Sequence, residues 1–117
     1  GVNCVTSSND PTAHAEITAI RNACRKIGDF QLNGAVLYSS CEPCPMCLSA
    51  IYWAGISKVY YANTRKDAAS ISFDDSYIYE ELCKPVDTRE LSMEHKPSTA
   101  AQEVFIKWST MENKVEY

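Results

Sequence analysis

Ala35-Val36-Leu37-Tyr38-Ser39-Ser40-Cys41-Glu42-Pro43-Cys44-Pro45-Met46-Cys47 is the stretch on which the fold turns. Ala35 to Tyr38 is a short apolar run, most simply a buried strand. Pro43 and Pro45 suit the start and first turn of a helix, where a missing N–H costs nothing. That helix is expected to continue to about Trp53 and to end near Gly55. Lys58-Val59-Tyr60-Tyr61-Ala62 is rich in β-formers and reads as the next strand.

Upstream, Gly1 to Val5 reads as the end of a strand, followed by the polar loop Ser7-Ser8-Asn9-Asp10-Pro11-Thr12. Ile17, Ile20, Cys24 and Ile27 recur at three and four residues and predict a helix from about Ala13 to Ile27. Asp10 or Thr12 is placed to cap it, and Gly28 stops it. Downstream, Asp67 to Leu82 reads as short helical turns around Phe73-Asp74-Asp75, and Arg89 to Glu94 as a further strand. Ser98 to about Met111 predicts an amphipathic helix capped by Ser98, with Ala101, Val104, Phe105, Trp108 and Met111 in one stripe. Pro85 and Pro97 bracket this last strand–helix unit. Alternating strands and helices imply an α/β fold, a sheet sandwiched by helices.

The 117 residues suffice for one domain. A hydrophobic share of 45% and a charged share of 22% are those of a soluble globular protein. No apolar run is long enough to span a bilayer, and no secretory signal is seen. Net charge is −4, and the eleven Lys and Arg are scattered, which leans away from a polyanion and towards a small-molecule partner. Of six cysteines, Cys41, Cys44 and Cys47 stand three apart, poor geometry for a disulfide framework and good geometry for a metal. A reducing cytoplasm is the expectation.

His14-Ala15-Glu16 and the Cys44–Cys47 pair each open an expected helix that follows an expected strand, where open α/β sheets place their ligands. One imidazole and two thiols give Zn²⁺ three ligands and leave a fourth position for water, the pattern of a catalytic site. Glu16 is then a spare carboxylate able to move the proton of that water. Two other readings stay open on these residues. Cys41 could close the site as a fourth ligand in a structural zinc-binding interaction domain, or Cys44 and Cys47 could cycle as a redox pair.

The pattern H-x-E…P-C-x-x-C resembles the zinc-dependent nucleobase deaminases, a cytidine/deoxycytidylate deaminase-like family. The residues that carry this are Asp10-Pro11-Thr12-Ala13-His14-Ala15-Glu16 and Ser40-Cys41-Glu42-Pro43-Cys44-Pro45-Met46-Cys47. Phe73-Asp74-Asp75 and the C-terminal Tyr117 resemble the guanine deaminase branch. The resemblance implies a three-layer α-β-α sandwich of the cytidine deaminase-like fold, here without the usual N-terminal helix and strand hairpin. It implies His14, Cys44 and Cys47 as zinc ligands and Glu16 as the proton shuttle. It further implies that Asn3 contacts the base edge, that the Ala15 N–H donates to the substrate carbonyl, and that Asp75 accepts from the guanine N–H edge. Trp53 would wall the pocket. The implied reaction is hydrolysis of guanine to xanthine and ammonia. The implied assembly is a homodimer that exchanges residues 85–117, so that Tyr117 closes the partner's pocket. A tRNA adenosine deaminase is the second enzyme reading, and cytosine or guanosine the further substrates.

Overall fold

The structure, a computed structural model, describes residues 1–116. Tyr117, expected to close a pocket, lies outside the described residues. The chain forms two compact units, Gly1–Glu80 and a second that begins at Glu81.

In the first unit Gly1–Cys4, expected as the end of a strand, form no regular element, and a single helical turn, α1 (Val5–Ser8), begins at Val5 and runs into the expected loop. The reason is local. The Asn3 side chain accepts from the Val5 N–H, and the Ser7 and Ser8 hydroxyls donate to the Cys4 carbonyl. Short polar side chains thus satisfy the backbone where no strand lies alongside. Asn9, at φ 51°, ends the turn.

Helix α2 (Ala15–Ile27) follows the predicted span closely and stops at Gly28, whose φ of 73° lies in the left-handed region that glycine enters without a Cβ penalty. Its N-cap is His14, and neither Asp10 nor Thr12 caps it. The Asp10 carboxylate instead accepts from the Thr12 N–H at 2.8 Å and the Thr12 hydroxyl at 2.7 Å, fixing the loop ahead of the helix.

Strand β1 (Val36–Cys41), helix α3 (Pro45–Trp53) and strand β2 (Lys58–Asn63) form the βαβ unit that positions the site. The two strands are parallel, with Val36 opposite Lys58 and Cys41 opposite Asn63. A parallel pair needs such a crossover, because a tight hairpin cannot join strands running the same way. Helix α3 packs against α2. Between them lies a small core of Ala13, Ile17, Leu32, Cys47, Ile51 and Ala54. Cys47, Ile51 and Ala54 recur at four and three residues, so one face of α3 is buried. The Leu32 N–H donates to the Ala54 carbonyl at 2.7 Å and ties the loop after α2 to the end of α3.

Helices α4 (Arg65–Ser70) and α5 (Ser76–Cys83) answer to the short helical turns expected around Phe73-Asp74-Asp75. In the second unit a 3₁₀ turn (Val86–Thr88) precedes irregular chain. Arg89 to Glu94 is not a strand. Arg89 donates to the carbonyls of Lys84 and Leu82, and the Glu90 N–H to Glu81, so the segment folds back on its own turn. Helix α6 (Thr99–Thr110) forms as predicted, with the Ser98 hydroxyl accepting from the Ala101 N–H.

Candidate active site

His14 and Cys44 occupy the same structural position on two helices. Each is an N-cap with extended backbone, His14 at φ −64°, ψ 160° and Cys44 at φ −64°, ψ 168°. Neither side chain caps its own helix. The imidazole and the thiol are therefore released to face each other, 3.5 Å apart from Nδ1 to Sγ. Both helix starts aim their partial positive charge at this point. Cys47, one turn into α3, is fully buried.

The ligand atoms of His14, Cys44 and Cys47 all lie within 4.8 Å of one another. Tetrahedral Zn²⁺, with Zn–S about 2.3 Å and Zn–N about 2.0 Å, would hold a sulfur and a nitrogen about 3.5 Å apart. The observed Cys44–His14 separation is therefore the one zinc asks for. Among the described residues no fourth His, Cys, Asp or Glu joins this group. Cys41 stands outside it, its thiol turned to the Thr64 carbonyl at 3.9 Å. Three protein ligands leave a position open, which distinguishes a catalytic from a closed structural zinc site.

The two thiols are electrostatically unlike. Cys44 is drawn down to about 6, first by the Cys47 thiol beside it, with His14 and the N–H groups of Cys47 and Met46 adding to it. Cys47 is pushed up, first by the Cys44 thiol and then by burial and the Glu16 carboxylate. A cation bound between them removes the contrast, since both then ligate as thiolates.

Glu16, in the first turn of α2, reaches into the site. Its Oε2 accepts from the Cys47 thiol at 3.5 Å and its Oε1 from the Ser39 hydroxyl at 3.4 Å. A carboxylate thus lies beside the ligand set without belonging to it. Ser39 went unnoticed in the sequence. The signal was there: alternation along β1 puts a polar residue in the inward row with Leu37 and Cys41.

Asp75 is half-buried; burial first, and the Asp75 charge with it, raises the thiol of Cys41 and the phenol of Tyr79. The Tyr79 hydroxyl donates to the Pro43 carbonyl at 3.2 Å and anchors α5 to the cysteine loop. Ala15 is the first residue of α2, where helix geometry leaves its N–H without an intrahelical acceptor. The Asn3 side-chain oxygen is engaged by the Val5 N–H at 3.0 Å. Trp53 is not brought to the ligands. It is 65% exposed at the far end of α3, about 13 Å along the helix from Cys44 at 1.5 Å per residue.

The model of the cytidine and deoxycytidylate deaminase zinc-binding region matches residues 1–63. Guanine deaminase of Bacillus subtilis (strain 168) is 52% identical over 117 residues, covering 100% of this chain and 75% of that protein. The X-ray structure of guanine deaminase from Bacillus subtilis superposes with a TM-score of 0.94 at 52% identity, covering 98% of this chain and 73% of that one. The tRNA-specific adenosine deaminase of Agrobacterium fabrum is 55% identical over 53 residues, 45% of this chain and 35% of that protein.

Proposed function

We propose, from the premise that this chain belongs to the cytidine and deoxycytidylate deaminase family, that it hydrolyses guanine to xanthine and ammonia. The likeness to a guanine deaminase along the whole chain carries this reading. The likeness to tRNA-specific adenosine deaminases is shorter or weaker, 55% identity over 53 residues or 35% over 103. An acidic balance of −4 also suits a small neutral base better than a polyanion.

His14, Cys44 and Cys47 would hold Zn²⁺. When bound, the ion supplies the Lewis acidity that makes water a competent nucleophile near neutral pH. Glu16 takes one proton from that water as its oxygen adds to guanine C2, and passes the proton to the adjacent ring nitrogen. It then moves the proton of the hydroxyl added at C2 to the exocyclic amine, the C2–N bond breaks as the C2 carbonyl forms, and ammonia leaves. The position of Oε2 against Cys47 supports this role.

The Ala15 N–H, at the positive end of α2, donates to the substrate carbonyl. Asp75 accepts from the base's N–H edge, where one carboxylate meets two donors. Asn3 contacts the opposite edge through its amide. Trp53 and Tyr117 act in pocket closure in the assembled enzyme. That assembly is a homodimer exchanging residues 85–117, a reading supported by α6, none of whose residues is buried. The six cysteines are unbridged, which suits a reducing cytoplasm, and no described helix is long and apolar enough to cross a membrane.

The test is xanthine formation from guanine, followed by ultraviolet absorbance, with zinc counted per chain. Glu16→Gln is expected to keep its zinc and to lose activity by about 10²- to 10⁴-fold. Turnover of a tRNA anticodon stem in place of guanine would sink the substrate assignment.

A further inference from the structure

Ser39 shares the inward row of β1 with Leu37 and Cys41. A hydroxyl in that row must find partners. Its oxygen accepts from the Cys41 N–H at 3.4 Å. A hydroxyl has one hydrogen to give, and the Cys41 N–H is itself a donor, so the direction of the chain is fixed. The Ser39 hydrogen goes to Glu16 Oε1 at 3.4 Å. The other carboxylate oxygen, Oε2, faces the Cys47 thiol at 3.5 Å. The two oxygens of Glu16 are thus unlike. One is held by the sheet and the other is turned to the ligand cluster.

We propose that Ser39 is a positioning residue for Glu16: it occupies Oε1 and leaves Oε2 as the oxygen presented to the ligands and the reacting water. The proposal rests on the assignment of Glu16 as the proton carrier. Glutamate has three rotatable bonds, and a carboxylate free to turn spends less time in the reactive geometry. The Ser39 hydroxyl has Glu16 and the Cys41 N–H as its partners, neither of them a metal ligand. It acts through Glu16 alone.

The paired variants Ser39→Thr and Ser39→Val test this. Both residues are β-branched, nearly isosteric and at home in a strand, so the pair differs in the hydroxyl alone. Ser39→Thr is expected to retain kcat on guanine. Ser39→Val is expected to lose about ten- to a hundred-fold in kcat, the size of a lost hydrogen bond to a charged group, with KM unchanged and zinc still bound one per chain. A second readout is independent of turnover. In ¹³C-glutamate-labelled protein, the Glu16 carboxyl resonance is the one missing from Glu16→Gln. It is expected to move in Ser39→Val and to stay in place in Ser39→Thr.

Equal kcat and an unmoved Glu16 resonance in the two variants would overturn the proposal, as would loss of zinc or a change confined to KM in Ser39→Val. A wild-type protein that carries zinc and leaves guanine untouched, while Glu16 still reports the Val–Thr difference, removes the substrate reading and leaves the positioning of Glu16 standing.

Discussion

Three cysteines at equal spacing have three different fates, and the backbone decides among them. Cys41 ends a strand and turns to Thr64, Cys44 stands at the N-cap position of a helix without capping it through its side chain, and Cys47 lies inside that helix. Cys41→Ser is therefore expected to keep one zinc per chain, and Cys44→Ser to lose it, as read by metal analysis after gel filtration. The thiol pair has its own signature in the zinc-free protein. Cys44 falls from an ordinary 9.0 to about 6, so its thiolate is present above that pH and protonated below it. Alkylation of Cys44 by iodoacetamide should rise through a midpoint near 6 and level off above it, and added zinc should protect it. A midpoint near 9 would show that Cys47 does not stabilise the Cys44 thiolate. The cluster of His14, Cys44 and Cys47 was legible in the sequence because ligand chemistry needs those residue types at that spacing. The N-cap geometry shared by His14 and Cys44 was not, since a residue's own dihedrals leave no mark in its identity. Ser39 was missed because a lone serine in an apolar row reads as filler until the carboxylate across from it is known.

The elements that came through from sequence are those whose signal is periodic and self-contained. Helix α2, the βαβ unit and α6 carry their apolar spacing and their stop or cap residues within themselves. The strands expected at Gly1–Val5 and Arg89–Glu94 failed for one reason. A strand exists only by pairing, and in each segment a side chain takes a backbone N–H instead, Asn3 that of Val5 and Glu81 that of Glu90. The α4–α5 segment shows how side chains fasten short helices. The Arg65 N–H donates to Glu42, its guanidinium lies 4.8 Å over the Tyr79 ring, and the Tyr79 hydroxyl reaches Pro43. These contacts bind α5 to the residues on either side of the cysteine loop. Tyr79→Phe is expected to keep the ring contact and lose the hydrogen bond, costing about 0.5–1.5 kcal/mol. Urea denaturation should show a lower midpoint with an unchanged slope. An unchanged midpoint would mean that water replaces Tyr79 at the Pro43 carbonyl without loss.

At the scale of the whole molecule the interior is thin for the chain's size. Among the described residues the buried hydrophobic core is Ala13, Ile17, Leu32, Cys47, Ile51 and Ala54, all in the first unit, and the surface of each unit is correspondingly large. Much of that surface is apolar: Tyr38 and Tyr60 stack on the open face of the parallel pair, and Phe105 on α6 is 76% exposed. Parallel sheets are ordinarily covered on both faces. A helix of 12 residues is marginal in water unless its apolar stripe is packed. Surface of this kind is what an obligate dimer buries, and it supports the exchange of residues 85–117 between two copies. Sedimentation should then give twice 13.1 kDa, and the melting temperature should rise with protein concentration, because dissociation is linked to unfolding. Phe105→Asp separates the possibilities. On an uncovered helix this change is worth no more than about 0.5 kcal/mol. In a dimer that seats α6 it places a charge against apolar surface, and the expected outcome is a 13.1 kDa species with a lower, concentration-independent melting temperature. A Phe105→Asp protein that sediments and melts like the wild type would show that α6 faces water, and the cover for the sheet would have to be sought in another element.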